Sequence, residues 1–142
     1  MNIERVLEKI YTKTYYIGES LKESYASAKH IQACPDDNDV LMDYINAEMT
    51  SVEAYLQKRL DFVSLSDVLD VCSKREKAEE MVALLERSLE EYLAESAVYR
   101  LMCDRIPSAA DPRGAQDALE RLKDIACSIA PTVRRRATTM GI

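Results

Sequence analysis

The chain has 142 residues, 47% of them hydrophobic and 31% charged, and this composition excludes wholesale disorder. Its three Gly and four Pro are few, which favours long helices over a turn-rich β protein. The net charge of −6 argues against sequence-specific nucleic-acid binding. No apolar run approaches the roughly 20 residues that span a bilayer, so we expect no membrane insertion. The length fits one domain, and residues 1–142 are expected to share a single core.

The first predicted element is an amphipathic helix from Asn2 to about Ile31, in which apolar residues recur at helical spacing. Gly18 and the β-branched and aromatic residues before it lower helix propensity, so we expect a kink or break near Gly18. Tyr15 and Tyr16 are adjacent and cannot both lie on one helical stripe. At least one of them therefore faces outward as a candidate interface residue, whereas most tyrosines are expected to be half-buried in the core.

The second predicted element begins at the clearest break between helical segments in the sequence. Pro35 ends the preceding segment, and the acidic cluster from Asp36 to Asp39 supplies capping oxygens and negative charge for the positive end of a new helix. Apolar residues then recur with helical period from Val40 to about Leu60, which predicts a second amphipathic helix.

Residues 61–73 interrupt the helical pattern with apolar residues that partly alternate with polar ones. The segment is compatible either with a loop that contains one or two short strands or with a short helix capped by Ser66 or Asp67. Because a structureless connection of this length is uncommon in a compact domain, we expect local structure or contact with a partner here.

A capping-box pattern, Ser73 followed by Glu76, opens the longest predicted helix, from about Lys74 to Ile106. Its apolar face comprises Ala78, Met81, Val82, Leu85, Leu89, Tyr92, Leu93, Ser96, Ala97, Leu101 and Met102. Most of its glutamates fall on the opposite side, namely Glu79, Glu80, Glu86, Glu90 and Glu91. Consecutive residues on a helix point about 100° apart, so we interpret these carboxylates as a solvated acidic face rather than as a catalytic pair.

The last predicted helix follows a proline-containing turn at residues 107–112 and starts at about Arg113. Pro131 is expected to end or kink this helix, and residues 133–142 to form a mobile basic tail. The tail contains three adjacent arginines, Arg134, Arg135 and Arg136. They fit two interpretations equally: a docking site for an acidic partner or nucleic acid, and an ordinary solvated set of cations at a helix end.

The sequence offers few residues suited to catalysis, metal binding or cofactor binding. His30 is the only histidine, and the glycines stand alone rather than in a phosphate-binding loop. We therefore expect no enzyme activity, no metal site and no cofactor. The N-terminus shows no secretory signal, and the cysteines are widely spaced: Cys34, Cys72, Cys103 and Cys127. We expect them to be free thiols in a reducing cytoplasm, packed as small apolar groups.

Together these elements predict an all-α fold, an irregular bundle of about four helices, with a short β or loop insertion between helices 2 and 3 as an option.

An acidic turn, Asp36-Asp37-Asn38-Asp39, opens a helix with a recognisable set of side chains: Leu41, Tyr44, Ile45, Ala47, Val52, Glu53, Tyr55 and Leu56. The run 85–93, an acidic turn with proline, an Ala-rich final helix and an arginine-rich end follow in order. In these features the chain resembles the small helical head–tail connector proteins, or neck proteins, of tailed bacteriophages and prophages.

The resemblance implies a structural virion protein, assembled in the cytoplasm of a bacterial host. It would form a homo-oligomeric ring between the portal and the tail or stopper proteins. DNA passes through such a ring, and a negatively charged subunit is compatible with DNA that slides without being gripped. By position, the connection after the second helix and the C-terminal segment would contact neighbouring subunits or the portal. The candidate interface residues there are Phe62, Val63, Leu65, Val68, Arg134, Arg135 and Arg136.

A second class of function is compatible with the same sequence. The chain could be a cytoplasmic helical adaptor or regulator that binds one protein partner in a groove between helices.

Overall fold

The computed structural model describes the backbone of residues 2–24, 31–60 and 78–139, and the side chains of residues 2–24, 31–55, 80 and 83–128. The α-helices are α1 (Ile3–Leu21), α2 (Asn38–Leu60), α3 (Ala78–Arg105) and α4 (Arg113–Thr139), and short 3-10 helices lie at Pro35–Asp37 and Pro107–Ala109. The described ranges contain these four α-helices and no strand, which confirms the predicted all-α bundle.

Helix α3 is the centre of the bundle, because it packs against each of the other three helices, while α2 also packs against α4. From α3 the core receives Leu85, Leu89, Leu93, Ala94, Ala97 and Leu101. The other helices contribute Val6 and Ile10 from α1, Leu41 and Ile45 from α2, and Leu122 and Ala126 from α4. Each fully buried Leu or Ile contributes about 1.5–3 kcal/mol, so this shared core decides how the helices are arranged.

Helix α1 runs through Gly18 and ends at Leu21, well before the predicted end near Ile31. Beyond the turn after α1, the chain lies against α1 again, where the N–H of Ala33 donates to the hydroxyl of the buried Thr14 at 2.9 Å. A continuous helix rises about 1.5 Å per residue and would carry this segment away from Thr14. The prediction of a helix that reaches Ile31 is therefore wrong, because this tertiary contact requires the chain to turn back.

Helix α2 begins where the acidic turn predicts. The carboxylate of Asp37 accepts the N–H of Cys34 at 2.9 Å, and α2 starts directly afterwards at Asn38. Arg105, at the end of α3, binds the same carboxylate at 2.6 Å and donates to the carbonyl of Ile31 at 3.2 Å. These bonds hold the connection before α2 on the end of α3.

Asp37 is expected to make stability depend on pH. Burial acts to raise the pKa of its carboxyl, but the N–H of Cys34 and the guanidinium of Arg105 outweigh burial and hold the pKa below its usual value. Because the pKa is lower in the folded state, the stabilisation is fully present above about pH 4 and is lost as pH falls through the folded-state pKa. Asp37→Asn should therefore be less stable than the wild type at pH 7, and the difference should shrink below about pH 4.

Urea unfolding at a series of pH values measures this difference. Asp36→Asn is the matched control, since Asp36 is exposed in the same turn and should change stability little. A difference between Asp37→Asn and wild type that stays constant from pH 7 to pH 3 would contradict the assignment.

Pro131 was predicted to end or kink α4, and because the helix continues past it to Thr139, the first alternative is wrong and the kink stays a prediction. Proline removes one helical N–H and its ring crowds the carbonyl four residues earlier, but a helix that is already formed can continue on both sides of it. The backbone of residues 133–139 is accordingly helical, whereas the mobility expected of residues 133–142 stays a prediction.

Several predictions concern residues outside the described part of the chain. They include the alternatives for residues 61–73, the capping box at Ser73, and the packing of Cys72 as a free thiol. Within the described ranges, no helix combines the length and the apolar character needed to cross a membrane.

Candidate functional site

An exposed pair of aromatic rings lies on the outward side of α1. The side chains of Tyr15 and Tyr16 are 45% and 66% exposed, and their ring centroids are 5.4 Å apart at an interplanar angle of 73°. This edge-to-face geometry is a favourable arrangement of two aromatic rings. The sequence predicted at least one outward-facing tyrosine here, and the structure places both at the surface.

The packing of α1 explains why these rings point away from the bundle. Val6, Ile10 and Thr14 are buried on the side of α1 that faces the core. Because side chains turn about 100° per residue, positions 15 and 16 follow Thr14 onto the outward side. Among the described helices, α1 packs mainly against α3, which leaves its outward side uncovered by α2 and α4.

Carboxylates surround the two tyrosines. Residues at helical spacing on the outward side and in the turn after α1 form a surface that we call the α1 outer face: Glu8, Thr12, Tyr15, Tyr16, Glu19 and Glu23. Glu19 binds Lys22 at 2.9 Å, and its hydrogen bond and negative charge raise the pKa of that ammonium. Glu8 and Glu23 make no ion pair with any residue of the described ranges. The α1 outer face therefore combines exposed aromatic rings with negative charge.

A row of ion pairs joins α1 to α3 and fixes how α1 is turned. Arg5 binds Glu90 at 2.7 Å, and Lys9 approaches Glu91 at 3.5 Å. Lys13 continues the row and binds two carboxylates, those of Glu91 at 3.0 Å and Glu95 at 2.6 Å. Glu8 and Thr12 of the α1 outer face line the same groove as this row, but its basic side chains are engaged with carboxylates of α3.

Burial and charge act against each other at Lys13. Burial acts to lower the pKa of its ammonium, but hydrogen bonds to Glu95 and Glu91 outweigh it and raise the pKa. At Glu91 burial acts to raise the pKa of the carboxyl, but Lys13 and Lys9 outweigh it and lower the pKa. Both groups are therefore charged at neutral pH, and the ion pairs persist there.

The prediction that Glu90 and Glu91 belong to a solvated acidic face is wrong for Glu90, which is 1% exposed, and Glu91 is half-buried. Glu90 is compensated by Arg5 and by the N–H of Asn2 at 3.3 Å. The spacing of carboxylates within α3 does not indicate that Glu90 is buried, because the groups that compensate its charge come from a part of the chain far away in the sequence.

A second polar network joins α2 to α3. Glu48 accepts hydrogen bonds from the hydroxyl of Tyr92 at 2.6 Å and from the guanidinium of Arg100. Burial, together with the hydrogen bond to Glu48, raises the pKa of Tyr92 to about 12. Tyr92 therefore keeps its proton at neutral pH and acts as a hydrogen-bond donor that ties the two helices together.

A groove of about 200 Å³ lies beside this network, between α2, α3 and α4. It is lined by Ser51, Val52, Tyr55, Tyr92, Leu119, Leu122 and Lys123. Its lining is mainly apolar, and the ammonium of Lys123 lies over the ring of Tyr55 at 5.5 Å from the centroid. This composition suits an apolar side chain or helix edge.

The three described cysteines are free thiols, as the sequence predicted. Their packing differs from the prediction, since Cys34 and Cys103 are exposed and Cys127 is half-buried. Cys34 lies in the turn before α2 and Cys103 on the outer side of the last turns of α3, where neighbouring elements do not cover them. The described residues contain no group of three or more His, Cys, Asp or Glu side chains placed to hold a metal ion.

Of the candidate interface residues, the structure describes the side chains of Tyr15 and Tyr16. Arg134, Arg135 and Arg136 lie on the helical backbone of α4, and their side chains are outside the described part. Phe62, Val63, Leu65 and Val68 lie entirely outside it. The contribution of Glu8, Glu19 and Glu23 to one surface with the tyrosines was missed, although their helical spacing in the sequence could have revealed it.

Comparisons of the chain with protein-family models, with curated proteins and with solved structures give no match. The functional interpretation therefore depends on the surfaces just described and on the resemblance in the order of sequence features.

Proposed function

We propose that this chain is a structural protein of the head–tail connector type, a ring-forming adaptor between the portal and the tail or stopper proteins of a tailed bacteriophage or prophage. The observation that carries the proposal is the exposed aromatic pair on the α1 outer face. Tyr15 and Tyr16 leave large rings in water that association with another protein would bury. Tyrosine is also enriched in protein interfaces, where an apolar ring and a polar hydroxyl are both used.

The architecture supports the same proposal. The acidic turn that carries the resemblance leads into α2 through a 3-10 turn that Asp37 closes, and Leu41 and Ile45 of the same motif are buried in the core. The motif therefore builds the bundle and leaves α1 as an outer layer available for contact. A subunit charge of −6 further suits a ring through which DNA slides, because like charges disfavour tight binding of phosphates.

The groove beside Val52 and Leu119 favours the alternative, an adaptor that binds a single partner segment between α2, α3 and α4. The two proposals differ in stoichiometry. A connector assembles with many copies of itself, whereas an adaptor forms a complex with one partner and stays monomeric alone. Neighbouring genes for a portal, a terminase and a capsid protein would favour the connector.

Tyr15→Ser/Tyr16→Ser is expected to weaken self-association at least about tenfold without loss of the fold, because truncation of interface aromatics commonly has effects of this size. Sedimentation velocity over a wide concentration range, alone and with the portal, measures the assembly, and circular dichroism checks the fold. Val40→Ser/Leu84→Ser is the matched control, since these residues are 46% and 50% exposed on other helices. The proposal fails if the wild type remains a monomer at every concentration and forms no complex with the portal protein.

A further inference from the structure

We propose that the α1 outer face of one copy binds the arginine-rich end of α4, residues 134–136, of a second copy. The inference rests on the proposed self-association and adds which two surfaces of the chain meet. It is carried by the complementary charge and chemistry of two parts of the same chain that lie on different helices.

The α1 outer face has the chemistry that binds guanidinium groups. Its carboxylates can accept paired hydrogen bonds from arginine, and its tyrosine rings can stack against a planar guanidinium. Glu19 lies one helical turn after the tyrosine pair, Glu8 lies about two turns before it, and Glu23 follows in the turn after α1. An arginine that approaches Tyr15 or Tyr16 therefore has the carboxylate of Glu19 within one turn, and further carboxylates lie along the same face.

The cations nearest to this face are engaged elsewhere. Arg5, Lys9 and Lys13 are bound to carboxylates of α3. Lys22 binds Glu19 but is itself exposed, so this pair is held weakly and can be exchanged for a stronger arginine contact. The face thus retains negative charge that residues within the described part of the same molecule do not compensate.

The backbone position of residues 134–136 supports a contact with a neighbouring molecule. Ala126 is the last residue of α4 that the structure shows as buried, and the helical backbone continues to Thr139. At about 1.5 Å per residue, residues 134–136 lie roughly 12–15 Å beyond Ala126 along the helix axis. The end of α4 therefore carries three positive charges well past the last described core contact.

Each copy then offers one acidic aromatic face and one basic helix end. Since these are two different surfaces, one copy can use its face for one neighbour and its helix end for another, which joins copies head to tail. Such a contact closes into a ring when the rotation between copies divides a full turn. A head-to-tail arrangement agrees with the proposed ring, whereas two reciprocal contacts of this kind between the same two copies would give a two-fold dimer.

A charge-reversal experiment on the full chain tests the inference. The tail-reversed variant is Arg134→Glu/Arg135→Glu/Arg136→Glu, and the face-reversed variant is Glu8→Lys/Glu19→Lys/Glu23→Lys. Each variant alone should self-associate at least about tenfold more weakly than the wild type in sedimentation velocity, because each sets like charges against each other. An equimolar mixture of the two should restore assembly, since every contact in it can pair opposite charges.

The control for the face-reversed variant is Asp43→Lys/Asp117→Lys/Glu120→Lys, which makes the same change in net charge at exposed positions of α2 and α4. It should assemble as the wild type does, and circular dichroism should show the helical fold in all variants. If the wild type assembles but the reversed variants assemble equally well, or their mixture restores nothing, the inference is wrong while the proposed function stands. If the wild type does not assemble at all, the proposed function fails and this inference with it.

Discussion

Leu85→Asp is expected to abolish cooperative thermal unfolding at neutral pH, because it places a carboxylate in the centre of the bundle. Leu85 is 1% exposed on α3, the helix that contacts all the others. The substitution removes the transfer free energy of a buried leucine, leaves a cavity and buries a charge without a partner. We expect a loss of at least about 4 kcal/mol, which is a large share of the roughly 5–15 kcal/mol that stabilises a typical domain.

The adjacent residue provides a matched control for this substitution. Leu84 is 50% exposed, so Leu84→Asp makes the same chemical change one position earlier in the same helix. Circular dichroism at 222 nm during heating should show a cooperative transition for Leu84→Asp close to that of the wild type. If both variants melted alike, the orientation of α3 would have to be assigned differently.

Thr14→Val is expected to destabilise the protein by about 1–3 kcal/mol, although it exchanges side chains of nearly equal shape. The hydroxyl of Thr14 is buried, accepts the N–H of Ala33 at 2.9 Å and donates to the carbonyl of Ile10 at 2.8 Å. Without the hydroxyl, the N–H of Ala33 loses its partner in a buried place, and an unpaired buried amide costs about this much. Urea unfolding with linear extrapolation measures the change in the free energy of unfolding.

Two variants separate this effect from a general response to substitutions in α1. Thr12→Val makes the same change on the exposed side of the same helix and should leave stability within about 0.5 kcal/mol of the wild type. Thr14→Ser keeps the hydroxyl and should lose less free energy of unfolding than Thr14→Val, apart from the cost of the missing methyl group. Equal effects of the two valine variants would mean that the bond between Thr14 and Ala33 does not hold the chain against α1.

These predictions connect the fold to the proposed interface. The bond from Thr14 and the ion pairs of Arg5 and Lys13 set the rotation of α1, and that rotation places Tyr15 and Tyr16 on the outside. If Thr14→Val loosens α1, it should also weaken self-association indirectly. The charge-reversed variants act at the surface and should weaken self-association with little change in thermal stability.

Helix boundaries that depend on local chemistry could be predicted from the sequence. Helix α2 starts where Pro35 and the aspartates that follow predict, because the bond from Cys34 to Asp37 that closes the turn before α2 forms within a few residues. The start of α4 at Arg113 was predicted for the same kind of reason, and Asp111 accepts the N–H of Arg113 at 3.0 Å. The apolar face of α3 was also predictable, since one stripe at helical spacing must be buried.

Features that depend on residues distant in the sequence could not be predicted. The end of α1 at Leu21 comes shortly after Gly18, where the sequence indicated a kink or break, but nothing in the sequence indicated the contact between Ala33 and Thr14. The same holds for the continuation of α4 past Pro131, which local propensity alone disfavours.

The outward position of at least one of Tyr15 and Tyr16 was determined by the sequence alone, because two adjacent residues of a helix cannot share one buried stripe. Tertiary structure decided that both are exposed, since packing against α3 buries Val6, Ile10 and Thr14 instead. Tertiary structure also decided that Glu90 is buried and paired while Glu8 and Glu19 remain at the surface. The physical reason is that a charge can be buried only where another element brings a compensating group, and helical periodicity does not encode which element that is.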